Sequence, residues 1–328
     1  MRVLVVCALI VAGILPAQDR TMADRVLEAQ QFQARGDFQR AESIFLEVLQ
    51  EAERRGGDLR AMAAALDNLS GAAADLGRYA DAERLSLRAL AATQKATGPN
   101  SPATAHALWN LAAIYMEAGR RDAADPLLRR FEAIAPRDVQ SDPVHASENL
   151  ENLAISCLGR RAFDQAMELF QQALDLAGQQ PGDSPRTAFI LIDRAVAYGH
   201  LRRYEEAVRD IAGAGEIVSG LPQAPLRLRL ALAVASGFVY ARAKQEANAR
   251  RWMEEAVRLA EGNYGPAHPI LATVLRNYAT ALRETGHKKE AVALDRRAAL
   301  ILDSSHRTEP MGISVDANTL AWRPWPQK

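Results

Sequence analysis

Aromatic residues make up only 6% of this 328-residue chain, and cysteine occurs just twice, at Cys7 and Cys157. So few cysteines exclude a disulfide framework as the source of stability. Net charge is also missing. Forty Lys and Arg balance forty Asp and Glu, which leaves no electrostatic footprint for nucleic acid or an anionic membrane. Lysine supplies five of those cations and arginine 35, a compositional bias rather than a phosphate-binding device. Catalytic signatures are absent as well: there is no HExxH, CxxC pair, GxSxG, GxxxxGK[ST] or GxGxxG. The six histidines (106, 145, 200, 268, 287 and 306) have no ligand spacing, so neither a metal nor a cofactor is expected. Paired acids such as Glu148 and Glu151 read as solvated charges on a helix face. These absences point away from an enzyme.

The one apolar run lies at the start. Arg2 is followed by the apolar stretch Val3 to Leu15, and Leu15-Pro16-Ala17 resembles a small-residue cleavage site. The run falls short of the roughly 20 residues that a membrane span requires. Residues 1–17 therefore read as an export signal for a periplasmic or secreted chain, with an uncleaved N-terminal anchor as the other reading. Cys7 lacks the surroundings of a lipidation site. After cleavage no membrane span is expected, and Cys157 is the one thiol left. It occupies an interior helical position, where a packed small hydrophobe is expected rather than a reactive group.

What the chain does have is a period. Ala41, Ala82, Ala124, Ala166, Ala207, Ala249 and Ala291 follow one another at spacings of 41 or 42 residues. Twelve residues before each stand Ala29, Ser70, Ala112, Ala154, Ala195, Gly237 and Ala279, all small. Small residues recurring at a fixed phase mark places where one helix backbone approaches another and a larger side chain would overpack. Bulky residues lie between them at helical spacing, with Phe32, Tyr115, Cys157, Tyr198 and Tyr240 at one phase and Leu66, Leu108, Leu150, Leu191 and Leu275 at another.

Each repeat thus reads as helix A, a tight turn and helix B. The expected elements are 21–35 and 38–54, 58–76 and 79–96, 102–118 and 121–134, 143–159 and 163–178, 185–201 and 204–219, 224–242 and 245–262, and 268–285 and 288–303. Gly36, Gly77, Gly119 and Gly286 stand where a left-handed residue ends helix A. Arg161, Arg202 and Lys244 replace it in repeats 4 to 6, whose turns are expected to be less tightly specified. Ser101-Pro102, Asp142-Pro143, Ser184-Pro185 and His268-Pro269 mark helix starts, His268 being a poor capping residue. The solenoid is expected over 18–303, in repeats of about 21–57, 58–98, 99–140, 141–182, 183–222, 223–264 and 265–303.

These small, glycine, aromatic and alanine phases resemble tetratricopeptide repeats. The 42-residue period, the LxNLA-like openings at Leu108–Ala112 and Leu150–Ala154, and the Gly265–Pro269 connector resemble the kinesin-light-chain subtype common in bacterial proteins. Repeats 2, 3 and 7 match well and repeat 6 poorly. The resemblance implies an all-α fold: an α-solenoid, a right-handed superhelix of about seven antiparallel helix pairs. It also implies a non-catalytic scaffold that binds a protein or peptide segment on its concave face.

Fourteen residues before the alanine marks stand Asn68, Asn110, Asn152, Asp193 and Asn277. Asn is a mediocre helix former, so its recurrence there needs a reason. Its phase lies beside the apolar stripe, on the inner face of the A helices. In repeats of the resembled kind such an Asn can hydrogen-bond the backbone of an extended peptide, since a carboxamide both donates and accepts. The other reading is that these residues bond neighbouring helices and hold the stack, with the chain acting as an assembly subunit through its convex surface or ends. Other inner-face positions make the expected groove polar and acidic first (Asp67, His106, Glu117, Glu148, Glu151). It turns apolar in the middle (Phe189, Ile192, Val196, Val234, Phe238) and mixed at the end (Arg276, Glu284). Trp109 is the candidate anchor, given the weight of Trp in binding hot spots, with packing against the preceding B helix as the alternative. The segment 304–328 leaves the pattern yet carries Trp322 and Trp325, and is expected to cap the last B helix. Partner identity and oligomeric state stay open.

Overall fold

The structure is a computed structural model and describes residues 21–54, 58–118, 120–135, 143–178 and 184–308. The leader-like residues 1–17, Gly119 and the Trp-containing segment from 309 onward lie outside them. Among the described residues the chain forms helices α1 (Met22–Ala34), α2 (Phe38–Arg54), α3 (Leu59–Asp75), α4 (Tyr79–Thr97), α5 (Pro102–Glu117), α6 (Arg121–Ile134) and α7 (Pro143–Gly159). They continue as α8 (Phe163–Ala177), α9 (Ser184–His200), α10 (Tyr204–Gly220), α11 (Leu226–Arg242), α12 (Glu246–Tyr264), α13 (Pro269–Glu284) and α14 (Lys288–Thr308). Each odd helix packs antiparallel on the even helix after it, giving seven pairs stacked as an α-solenoid.

The expected boundaries hold to within about two residues at nearly every end. The exception is α14, which runs to Thr308, five residues into the stretch expected to leave the pattern. The alanine marks are where helices meet: Ala41, Ala82, Ala166, Ala207 and Ala291 are fully buried, and Ala124 and Ala249 nearly so. Helix starts follow local chemistry. The Ser101 hydroxyl accepts from Thr104 N–H at 3.1 Å, ahead of Pro102 at the first position of α5. His268, a poor cap by residue type, caps α13 through its imidazole: Nδ1 accepts from Ile270 N–H at 3.2 Å.

The turns correct one expectation. Gly36 and Gly77 adopt φ of +86° and +76°, but Arg161, Arg202 and Lys244 take the same left-handed conformation at 64°, 60° and 61°. Their turns are closed by the same pair of hydrogen bonds. Ala162 N–H donates to Cys157 C=O at 2.9 Å and Arg161 N–H to Leu158 C=O at 3.0 Å, just as Arg78 and Gly77 donate to Ala73 and Ala74. The helix crossing and these bonds dictate the conformation. The side chain bears the strain, and the turn is no looser.

The A helices are not evenly spaced. In the second half α9, α11 and α13 pack directly on one another. A Cβ on Gly199 of α9 would lie 2.9 Å from the ring of Phe238 in α11, so only glycine admits that ring. The supposed apolar groove is therefore interior: Ile192, Val196 and Val234 are buried, and Phe189 and Phe238 pack against the same cluster.

This tight second half brings the end of the solenoid back to its start. Phe38, Ala73, Ala74, Tyr79 and Ala82 share one buried cluster with Leu226, Leu230, Ile270 and Leu271. Phe38 stacks on Tyr264 with ring centroids 5.1 Å apart. Arg35 Nε donates to Gln223 Oε1 at 3.0 Å, and the wholly buried Asp75 carboxylate pairs with Arg227 at 3.1 Å. A Cβ on Gly36 would press on Leu226 at 3.1 Å, which adds a steric reason for glycine at a position whose φ already favours it. The repeats close a ring.

Candidate partner-binding face

The inner face of the first five A helices carries a connected row of polar side chains. On α3, Asn68 donates Nδ2–H to the Ala64 carbonyl at 2.8 Å and accepts from Gln30 of α1 at 3.3 Å. On α5, Asn110 Nδ2 reaches both carboxylate oxygens of Asp67, at 3.0 and 3.1 Å, and lies 3.0 Å from His106 Nε2. The other ring nitrogen of His106 is 3.0 Å from Glu148 on α7, and the His145 ring meets it edge-on at 5.1 Å. Arg186, in the first turn of α9, pairs with Glu148 and, at 3.1 Å, with Glu151. Burial pushes the Arg186 guanidinium down to about 10, partly opposed by the charge of Asp193.

This row corrects the reading of Glu148 and Glu151 as solvated. Their side chains are 15% and 6% exposed, and one arginine serves both. Arg186 was missed because it stands three residues outside the inner-face phases considered, one helical turn before Phe189. The usable signal was its seven-residue spacing to Asp193, which puts both on one face of α9.

The candidates divide. Asn68, Asn110 and Asp193 belong to the row just described. Asn152 makes no side-chain hydrogen bond among the described residues. On α13, Asn277 Nδ2 is buried without an acceptor among them, and the neighbouring Arg276 guanidinium has no ion pair among them. Trp109 is half-buried with its ring 5.2 Å from Phe131 of α6, the B helix of its own repeat. Packing accounts for its position. Cys157 is buried and free.

Fourteen helices in pairs, small residues at fixed phases and an inner row of carboxamides are now joined by a direct comparison. The tetratricopeptide repeat profile matches residues 61–137, 146–210 and 228–302, well over half the chain. The chain belongs to the tetratricopeptide repeat family. It is 24% identical over 285 residues to Protein KINESIN LIGHT CHAIN-RELATED 3 of Arabidopsis thaliana, covering 85% of this chain and 43% of that protein. It thus spans less than half the length of that relative. Among solved structures, a Rap protein complexed with Competence and Sporulation Factor superposes with a TM-score of 0.66 at 11% identity, covering 88% of this chain and 76% of that one. The apo form of the quorum sensor NprR from B. thuringiensis gives 0.54 at 14% identity, covering 86% and 76%. At such identities these likenesses concern the fold. No helix among the described residues is long and apolar enough to cross a membrane.

Proposed function

We propose that this tetratricopeptide repeat chain is a non-catalytic scaffold that holds an extended segment of a protein or peptide partner on its concave face. One observation carries the reading: the inner face is lined with polar side chains that stacking does not use up. Asn152 and the Arg276 guanidinium stand there without internal partners among the described residues, while Asn68 and Asn110, equivalent to Asn152, are engaged. A carboxamide offers a peptide unit a donor and an acceptor together. A Rap protein of like fold, complexed with Competence and Sporulation Factor, supports the reading at the level of architecture only.

The second reading, an assembly subunit acting through its convex side, is favoured by exposed leucines on the B helices: Leu46 at 42%, Leu87 at 46% and Leu300 at 71%. A photo-crosslinking residue placed at Asn152 in one sample and at Leu87 in another separates the two. Capture of the same partner from Asn152 and not Leu87 is expected, and the reverse refutes the groove. On the leader-like residues 1–17 we also propose export to the periplasm or medium, which N-terminal sequencing of the mature protein tests.

A further inference from the structure

We propose that the seam between the first two repeats and the last two is a reversible clasp, and that the solenoid alternates between a closed ring and an open superhelix of unchanged helices. Three features carry this. First, the contacts come from turns, connectors and the ends of helices: Arg35 and Gly36 after α1, Gln223 before α11, Tyr264 at the end of α12, and the buried cluster around Phe38, Leu226 and Ile270. Among the described residues no helix pair across the seam packs along its length as neighbouring helices do.

Second, outside its buried apolar cluster the seam is held by a few contacts of differing kind. Phe38 stacks on Tyr264, Leu226 fills the space above Gly36, Asp75 pairs with Arg227, and Arg35 bonds Gln223. Asp75 is also held from its own side by Gln33, whose Nε2 donates to it at 2.9 Å. Releasing Arg227, whose side chain is half exposed, therefore leaves the carboxylate with a partner. As the halves part, Asp75 keeps this hydrogen bond and its other oxygen meets water in place of Arg227.

Third, each repeat in a solenoid is stabilised by its nearest neighbours. Breaking the seam leaves every helix pair and every junction between successive repeats intact. Closed and open forms then differ in curvature and in the exposure of Phe38 and Leu226, which are 5% and 2% exposed in the ring. The clasp sets how tightly the inner face is curled.

Solution X-ray scattering of the full chain tests this, with circular dichroism on the same samples. The wild type is expected to scatter as the closed ring. Arg227→Glu, which sets a like charge against Asp75, is expected to raise the radius of gyration at unchanged helicity. Arg227→Gln is expected to do so by less. In the Arg227→Glu background with Cys7→Ser, Arg35→Cys and Gln223→Cys joined by a short bis-maleimide are expected to restore the compact profile, with buried Cys157 unlabelled. An unchanged profile in Arg227→Glu overturns the proposal. So does loss of helicity, because a clasp is dispensable to the helices. A wild type that already scatters as an open superhelix overturns it too.

Discussion

Two buried imidazoles should make this solenoid lose stability in mild acid, above the range where carboxylates dominate. His200 lies 4.9 Å from the Phe238 ring, and burial, followed by the charge of Arg242, pushes it down to about 4. Burial likewise takes His268 down to about 4, with a backbone hydrogen bond at Asp75 acting the other way. In the unfolded chain both would titrate near 6.5. The fold disfavours the proton, so between pH 6.5 and 4 the unfolded chain binds more protons than the native one. The stabilisation is complete above 6.5 and is lost as the pH falls through this window. Full loss amounts to about 3 kcal/mol for each group, and at pH 5 to about 2 kcal/mol each, or about 4 kcal/mol together. Thermal melts between pH 7 and pH 5 should show this as a falling midpoint. His200→Gln combined with His268→Asn removes both titrations, and Asn keeps a cap on α13. The double variant should have a nearly flat midpoint over the same range. A slope as steep as that of the wild type would refute the assignment.

Three further outcomes follow from named contacts. Arg161→Gly and Arg202→Gly relieve left-handed strain without touching a packed side chain, and should each stabilise by about 1 kcal/mol in a thermal melt. Phe131→Ala opens a cavity under Trp109 in a fully buried site and should cost about 3–5 kcal/mol in urea unfolding. Asn110→Ala breaks the bond to Asp67 and should cost about 1 kcal/mol, while Asn152→Ala should leave stability within about 0.5 kcal/mol and weaken capture of the partner.

Much of the fold was legible in the sequence because packing in a solenoid is local and repeats itself. A small residue at the phase of Ala112 or Ala154 reports a close helix contact within about 40 residues, and the same report comes seven times. The turns at Arg161, Arg202 and Lys244 were less legible. Residue type argued for loose ends, whereas the helix crossing demanded the left-handed conformation whatever residue stood there. At the candidate site the inner-face phase placed Asn68, Asn110 and Asp193 on a common surface. It could not say which carboxamides were already engaged, since Gln30 and Asp67 bond to them from other repeats. Arg186 escaped because ion pairs between long side chains obey no fixed phase. The seam escaped for a related reason: Arg35 and Gln223 are separated by 188 residues, and no period links them.

The tight packing of the second half can be traced to two glycines, in repeats 5 and 6. In α11 of repeat 6 the small position is Gly237, and a Cβ there would stand 2.6 Å from Met253, so the side chain of α12 sits directly on the α11 backbone. Gly199 lets Phe238 do the same to α9 from the other side. Both glycines draw helices closer than alanine would: Gly199 where two A helices pack on one another, Gly237 between the A and B helices of repeat 6. Closer A helices on the inside of a stack increase its curvature, in the sense that brings α11 to α13 towards α1 to α4. The packing of α9, α11 and α13 uses up the apolar middle of the inner face, and leaves the polar row of the first five A helices and Arg276 of α13 at its surface.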